Sequence, residues 1–113
     1  MKRIASLLLV AAIFIGISSC TEDQPRLRVR NDYSEKANVQ LKPSAGSTFN
    51  INDVGASSES SFYNVNEGTY EATASISGVS PSPKASFQIN NGQQITLIIT
   101  NTDPPEIQVK DEG

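Results

Sequence analysis

Between Arg26 and Val109 the apolar residues recur at every second position in short runs, and this period constrains the fold more than any other feature. Leu27 and Val29 alternate with Arg26, Arg28 and Arg30; Val39 and Leu41 with Asn38, Gln40 and Lys42; Phe49 and Ile51 with Thr48, Asn50 and Asn52. An extended chain sends successive side chains to opposite faces, so each run reads as a strand with one buried and one wet face. Residues 60–65 form a fourth candidate. Residues 69–77 form a fifth, with Tyr70, Ala72, Ala74 and Ile76 on one face. Residues 85–89 and 95–99 supply the sixth and seventh, and Ile107 with Val109 a short eighth. Ile98 is apolar on the outward parity too, which marks the seventh strand as central.

Turn residues separate these runs at 43–46, 53–55, 78–83 and 103–105. The serine-rich stretch 55–61 reads as a loop too polar to pack. Outside the first 19 residues nothing repeats with helical period. The expected fold class is all-β: a single antiparallel β-sandwich of seven or eight strands after an N-terminal signal helix. The turn around Asn91-Gly92 adds an expectation about register. A two-residue loop would place Ile89 opposite Gln94, mixing core and polar residues on one face. A three-residue loop of Asn90-Asn91-Gly92, with Gly92 at positive φ, would pair Phe87 with Ile95 and Ala85 with Leu97, and is the expected hairpin.

The leader has the layout of a secretory signal: Lys2 and Arg3, then an apolar run over 4–17, then Ser18-Ser19 before Cys20. The run of about 14 residues is short of the ~20 that span a bilayer as a helix. Ile17-Ser18-Ser19-Cys20 resembles the lipobox of bacterial lipoproteins. That resemblance implies a diacylglycerol on the Cys20 sulfur, cleavage before Cys20 and, on its freed amine, a further acyl chain; two or more chains anchor stably. Cys20 is the only cysteine, so no intramolecular disulfide is available. Expected organisation is a signal peptide over 1–19, lipidated cysteine and tether over 20–25, a sandwich over 26–110 and a charged tail over 111–113. Such a tether would lift the domain ~15–20 Å from its anchor. Acidic Glu22 and Asp23 after the cysteine resemble the export signals of Bacteroidetes-type lipoproteins, which implies an outer-membrane location, surface-exposed or periplasm-facing.

Gly68-Thr69-Tyr70 after Val65-Asn66-Glu67 resembles the tyrosine corner of immunoglobulin-like domains, and the G-x-Y strand entry of transthyretin-like ones. The resemblance implies that the Tyr70 hydroxyl bonds back to upstream backbone. It departs from antibody domains at Ala72, where they carry cysteine, and in the absence of tryptophan.

Composition narrows the function classes. Removing Lys2 and Arg3 with the leader leaves seven basic residues against twelve acidic, a balance opposed to nucleic-acid binding. There is no histidine, no G-x-S-x-G and no phosphate-cradling glycine loop, and the lipobox resemblance implies that the one thiol is committed to lipid. The expectation is a protein without catalytic residues, metal or cofactor. Glu22-Asp23, Glu67 with Glu71, and Asp111-Glu112 read as solvated charge. Arg26, Arg28 and Arg30 share one strand face at ~7 Å intervals, a ladder able to hold an anionic partner, to guard a sheet edge, or to pair with acidic neighbours. Tyr33, Phe62 and Tyr63 are the candidate exposed rings. The expected function is a membrane-anchored, non-enzymatic binding, adhesion or scaffolding module of the envelope. A small carbohydrate- or anion-binding module is the alternative, and its partner would be an envelope protein or surface glycan.

Overall fold

The computed structural model describes residues 23–113, so the leader and Cys20 lie outside the described residues. Nine strands follow one another: β1 (Arg26–Asn31), β2 (Ala37–Pro43), β3 (Phe49–Val54), β4 (Ser58–Glu59), β5 (Tyr63–Asn64), β6 (Gly68–Ile76), β7 (Lys84–Ile89), β8 (Gln94–Ile99) and β9 (Ile107–Asp111). None of the described residues is helical. One sheet runs β9-β8-β1-β4, with β5 also on β1; the other runs β3-β2-β6-β7. The protein is an all-β sandwich.

Alternation decides which side chains meet between the sheets. Leu27, Val29, Ile95, Leu97 and Ile99 are buried on the first sheet; Val39, Leu41, Ile51, Tyr70, Ala72, Ala74, Ile76 and Ile89 on the second. Tyr70 stacks on Phe87 at 5.7 Å and meets Phe49 edge-on at 6.5 Å, a geometry aromatic rings favour. β8 lies inside its sheet, as Ile98 suggested. One ladder departs from an antiparallel sandwich: β1 and β8 pair in parallel, with Leu27 beside Ile95 and Val29 beside Leu97.

The expected hairpin at Asn90-Asn91-Gly92 does not form. β7 pairs with β6, placing Phe87 opposite Tyr70 and Ala85 opposite Ala72, while β8 belongs to the other sheet. Phe87 and Ile95 do both face the core, but from opposite sheets. Inward parity is satisfied equally by pairing within a sheet and by apposition across the core, so it did not discriminate. Gly92 nevertheless has φ +85°. Its turn is closed by Gln93 N–H donating to the Asn90 carbonyl at 3.1 Å, and it carries the chain between sheets.

Three boundaries also move. Of candidate strand 60–65 only β5, Tyr63–Asn64, is strand; with β4 just ahead of it, it lies along one edge of β1. Arg30 is paired with Glu59 but Leu27 with Tyr63, so one extra residue is bulged out between them. Part of the serine-rich stretch, Ser58–Glu59, is strand rather than loop, and just beyond it Ser60 N–H donates to the Val29 carbonyl while the Ser60 hydroxyl accepts from Val29 N–H. Of residues 20–25, expected as a tether, the described part is fastened to the sandwich. Pro25 is fully buried, its carbonyl accepts Val65 N–H at 3.0 Å, and the Asp23 carbonyl accepts Gly92 N–H at 2.7 Å. Only three residue steps separate Cys20 from Asp23, a reach of about 10 Å at full extension. Finally, Asp111 ends β9, and Glu112 N–H donates to the Gln94 carbonyl, so 111–113 is not a free tail.

A Cβ added at Gly92 would meet nothing within 4 Å, which leaves backbone conformation as the obstacle to substitution there. Gly92→Val is expected to lower stability by more than ~1 kcal/mol, because a β-branched residue resists positive φ. Urea denaturation of the two proteins checks this; an unchanged midpoint would make Gly92 an ordinary position.

Candidate functional site

The outward face of β1 carries the arginine column, and the surrounding strands neutralise most of it. Arg28 donates through Nε to Thr96 Oγ1 at 3.0 Å, through Nη1 to Glu59 at 3.4 Å and through Nη2 to Glu112 at 3.2 Å. Thr96 itself donates to the same Glu112 carboxylate at 2.7 Å, closing the network across β4, β1, β8 and the end of β9. Arg30 grips Asp32 with two bonds, at 2.9 and 3.1 Å. Asp32 thereby raises the Arg30 guanidinium above its ordinary value, mainly through the hydrogen bond. Phe62, between β4 and β5, lies under Arg28 at 4.6 Å and Arg26 at 5.4 Å. Because β1 is flanked on both sides, its arginines do not guard an edge. They pair with acidic neighbours, and among the described residues Arg26 alone of the three makes no ion pair.

Glu112 is the residue that reading for solvated charge mislaid. The Thr96 hydroxyl first, then Arg28 and Lys110, hold its carboxyl below the usual range against some desolvation. A depressed folded value means that the stabilisation is present above the ordinary carboxylate pKa and fades as pH falls through the lowered one. Glu112→Gln is expected to reduce the loss of melting temperature on acidification across that window, with little effect of ionic pairing at the acid end. Melting curves from pH 7 to pH 2 check it, and parallel curves for both proteins would show that Glu112 carries no linkage.

Asn31 was also missed, although continued alternation from Leu27 and Val29 points it inward. It is fully buried and satisfied: Nδ2 donates to the carbonyls of Glu35 at 2.7 Å and Val54 at 3.0 Å, and Oδ1 accepts Tyr33 N–H at 3.0 Å. It fastens β1 in one sheet to β3 in the other, as buried amides with complete partners do. Tyr70 combines core packing with a corner bond. Its hydroxyl donates to the Asn66 carbonyl at 2.5 Å, burial raises its pKa, and Gly68 enters the strand at φ +150°.

Two recesses adjoin the N-terminal end of the sandwich. One, of about 260 Å³, is lined by Phe49, Tyr63 and Tyr70 with the amides of Gln24, Asn64 and Asn66. Tyr63 is 41% exposed there, whereas Tyr33 packs against the core and Phe62 lies under arginines. The other, of about 300 Å³, is polar and is lined by Asp23, Gln24, Arg26, Asn64, Gly92, Gln93 and Gln94. Of the remaining acidic residues, Asp53 pairs with Lys36 at 3.3 Å and Glu67 accepts Asn91 N–H at 3.2 Å. Among the described residues no three His, Cys, Asp or Glu side chains converge on a metal position. No known protein family matches the chain, and no curated protein is similar to it.

Proposed function

We propose that the chain is an envelope lipoprotein anchored through Cys20, whose sandwich is a non-enzymatic binding and scaffolding module of the outer membrane. The anchoring half of this reading rests on the lipobox-like Ile17-Ser18-Ser19-Cys20. The scaffolding half rests on one observation, the open edge of β9.

β9 ends its sheet, and among the described residues no strand lies on its outer side. Thr100 N–H donates to the Glu106 carbonyl and Glu112 N–H to Gln94, so the even residues turn their backbone toward β8. By alternation Ile107, Val109 and Asp111 turn theirs outward. Val109 stands opposite buried Leu97 on the inward face, yet is 39% exposed. An extended segment of an envelope protein added at this edge would gain main-chain bonds and cover Val109, the arrangement of strand addition.

A second reading has its own observation. An exposed ring beside three amides suits a neutral sugar, so the Tyr63 recess supports carbohydrate binding. Anion binding on the ladder loses support, because Arg28 and Arg30 are already paired.

Substitution separates these readings. Val109→Pro removes an outward N–H while leaving the β8 ladder intact, a change that edge strands tolerate. Cross-linking in the native envelope is expected to give a defined adduct that Val109→Pro abolishes and Tyr63→Ala preserves; the opposite pattern would assign recognition to the recess. Metabolic labelling with a fatty-acid analogue is expected to mark the wild type and not Cys20→Ala. Label retained in that variant would overturn the anchor.

A further inference from the structure

We infer that the polar cleft beside Arg26 receives a zwitterionic phospholipid headgroup of the phosphoethanolamine type, docking the anchored end of the sandwich on the bilayer surface. This rests on the reading of Cys20 as the anchor, and adds a specific contact to it.

The cleft offers both charges. Arg26 and Asp23 line the same 300 Å³ recess, and among the described residues neither side chain belongs to an ion pair. A lone phosphate there would meet the Asp23 carboxylate, and a lone ammonium would meet Arg26. A molecule carrying both groups satisfies both. Arg26 donates charge-assisted bonds to phosphate oxygens in the fork geometry that guanidinium favours, and Asp23 accepts from the ammonium. The amides of Gln24, Asn64 and Gln94 complete the lining without side-chain partners among the described residues, in contrast to Gln93, which already bonds Asp111 and the Asn90 N–H.

The rim is held by backbone. The Asp23 carbonyl accepts Gly92 N–H at 2.7 Å and Arg26 N–H donates to the Gln93 carbonyl at 3.0 Å, so the two charged residues are placed before any ligand arrives. Depth agrees with chemistry. With Asp23 fastened, the cleft lies within about 10 Å of Cys20 along the chain. The headgroup region is roughly 5–8 Å thick on each side of the hydrocarbon core. A cleft so close to an acylated cysteine is at headgroup level, where the commonest small molecules are zwitterions and phosphates.

The mature chain, residues 20–113, carries the test in two forms, acylated in nanodiscs and as Cys20→Ser in solution. Titrating the soluble form with phosphoethanolamine is expected to shift the backbone amides of Gly92, Gln93 and Gln94, with affinity at least tenfold weaker in Arg26→Gln and in Asp23→Asn. Both variants keep the rim, which is made by main-chain atoms. In nanodiscs the same amides are expected to shift with phosphatidylethanolamine and not with phosphatidylglycerol. Equal shifts with inorganic phosphate, or with phosphatidylglycerol, would overturn the zwitterion; shifts unchanged in Arg26→Gln would overturn the site. An unacylated wild type whose Cys20→Ser form still binds phosphoethanolamine would remove the anchor and leave the site, whereas an acylated chain without that binding would do the reverse.

Discussion

Everything in the sandwich hangs on the position of β1, the first described strand, between β8 on one side and β4 and β5 on the other. Its register places Leu27 beside Ile95, Val29 beside Leu97 and Asn31 beside Ile99, so three inward residues meet three others already committed to the core. A slip of one residue would turn Arg26, Arg28 and Arg30 inward, a burial of charge that no part of the core compensates. The same insertion is non-local in the extreme. The strand that completes the middle of the sheet is made first and must wait for partners near the other end of the chain, a topology that folds slowly.

The outward side of that strand explains why the protein keeps so few free cations on this face. Each arginine beyond the first finds a carboxylate: Glu59 and Glu112 for Arg28, Asp32 for Arg30. These acids come from a short edge strand, the segment after β9 and the turn after β1, so one column of charge ties together three separate parts of the chain. Exposed pairs of this kind add modestly to stability. Their effect on recognition is larger, because they leave Arg26, nearest the N-terminal end, as the cation with bonds still to give.

Strand positions and facing were legible because alternation is local: every inward residue of β2 and β6 can be named from its own run. Partner choice was not, since it depends on which of two sheets a strand joins, and parity is the same in both. That is why residues 90–92 read as a hairpin and proved to be a crossing. Polar residues were misjudged for a related reason. Glu112, Asn31 and Ser60 acquire their roles from strands 16 to 84 positions away, through bonds such as Thr96 to Glu112 and Arg28 to Glu112. Tyr70 stood out because its hydroxyl bonds a carbonyl only four residues back, close enough for a short motif to carry it.

The parallel ladder between β1 and β8 has a mechanical consequence. Tension applied to the chain ahead of Asp23 would pull on β1 along its own length, toward its N-terminal end. Tension in that direction loads the β1–β8 bonds from Gln94 to Ile99 in shear, together, where a hairpin pulled at its open end would surrender them singly. A pull from the N-terminal side is thus met by six residue pairs at once rather than one at a time.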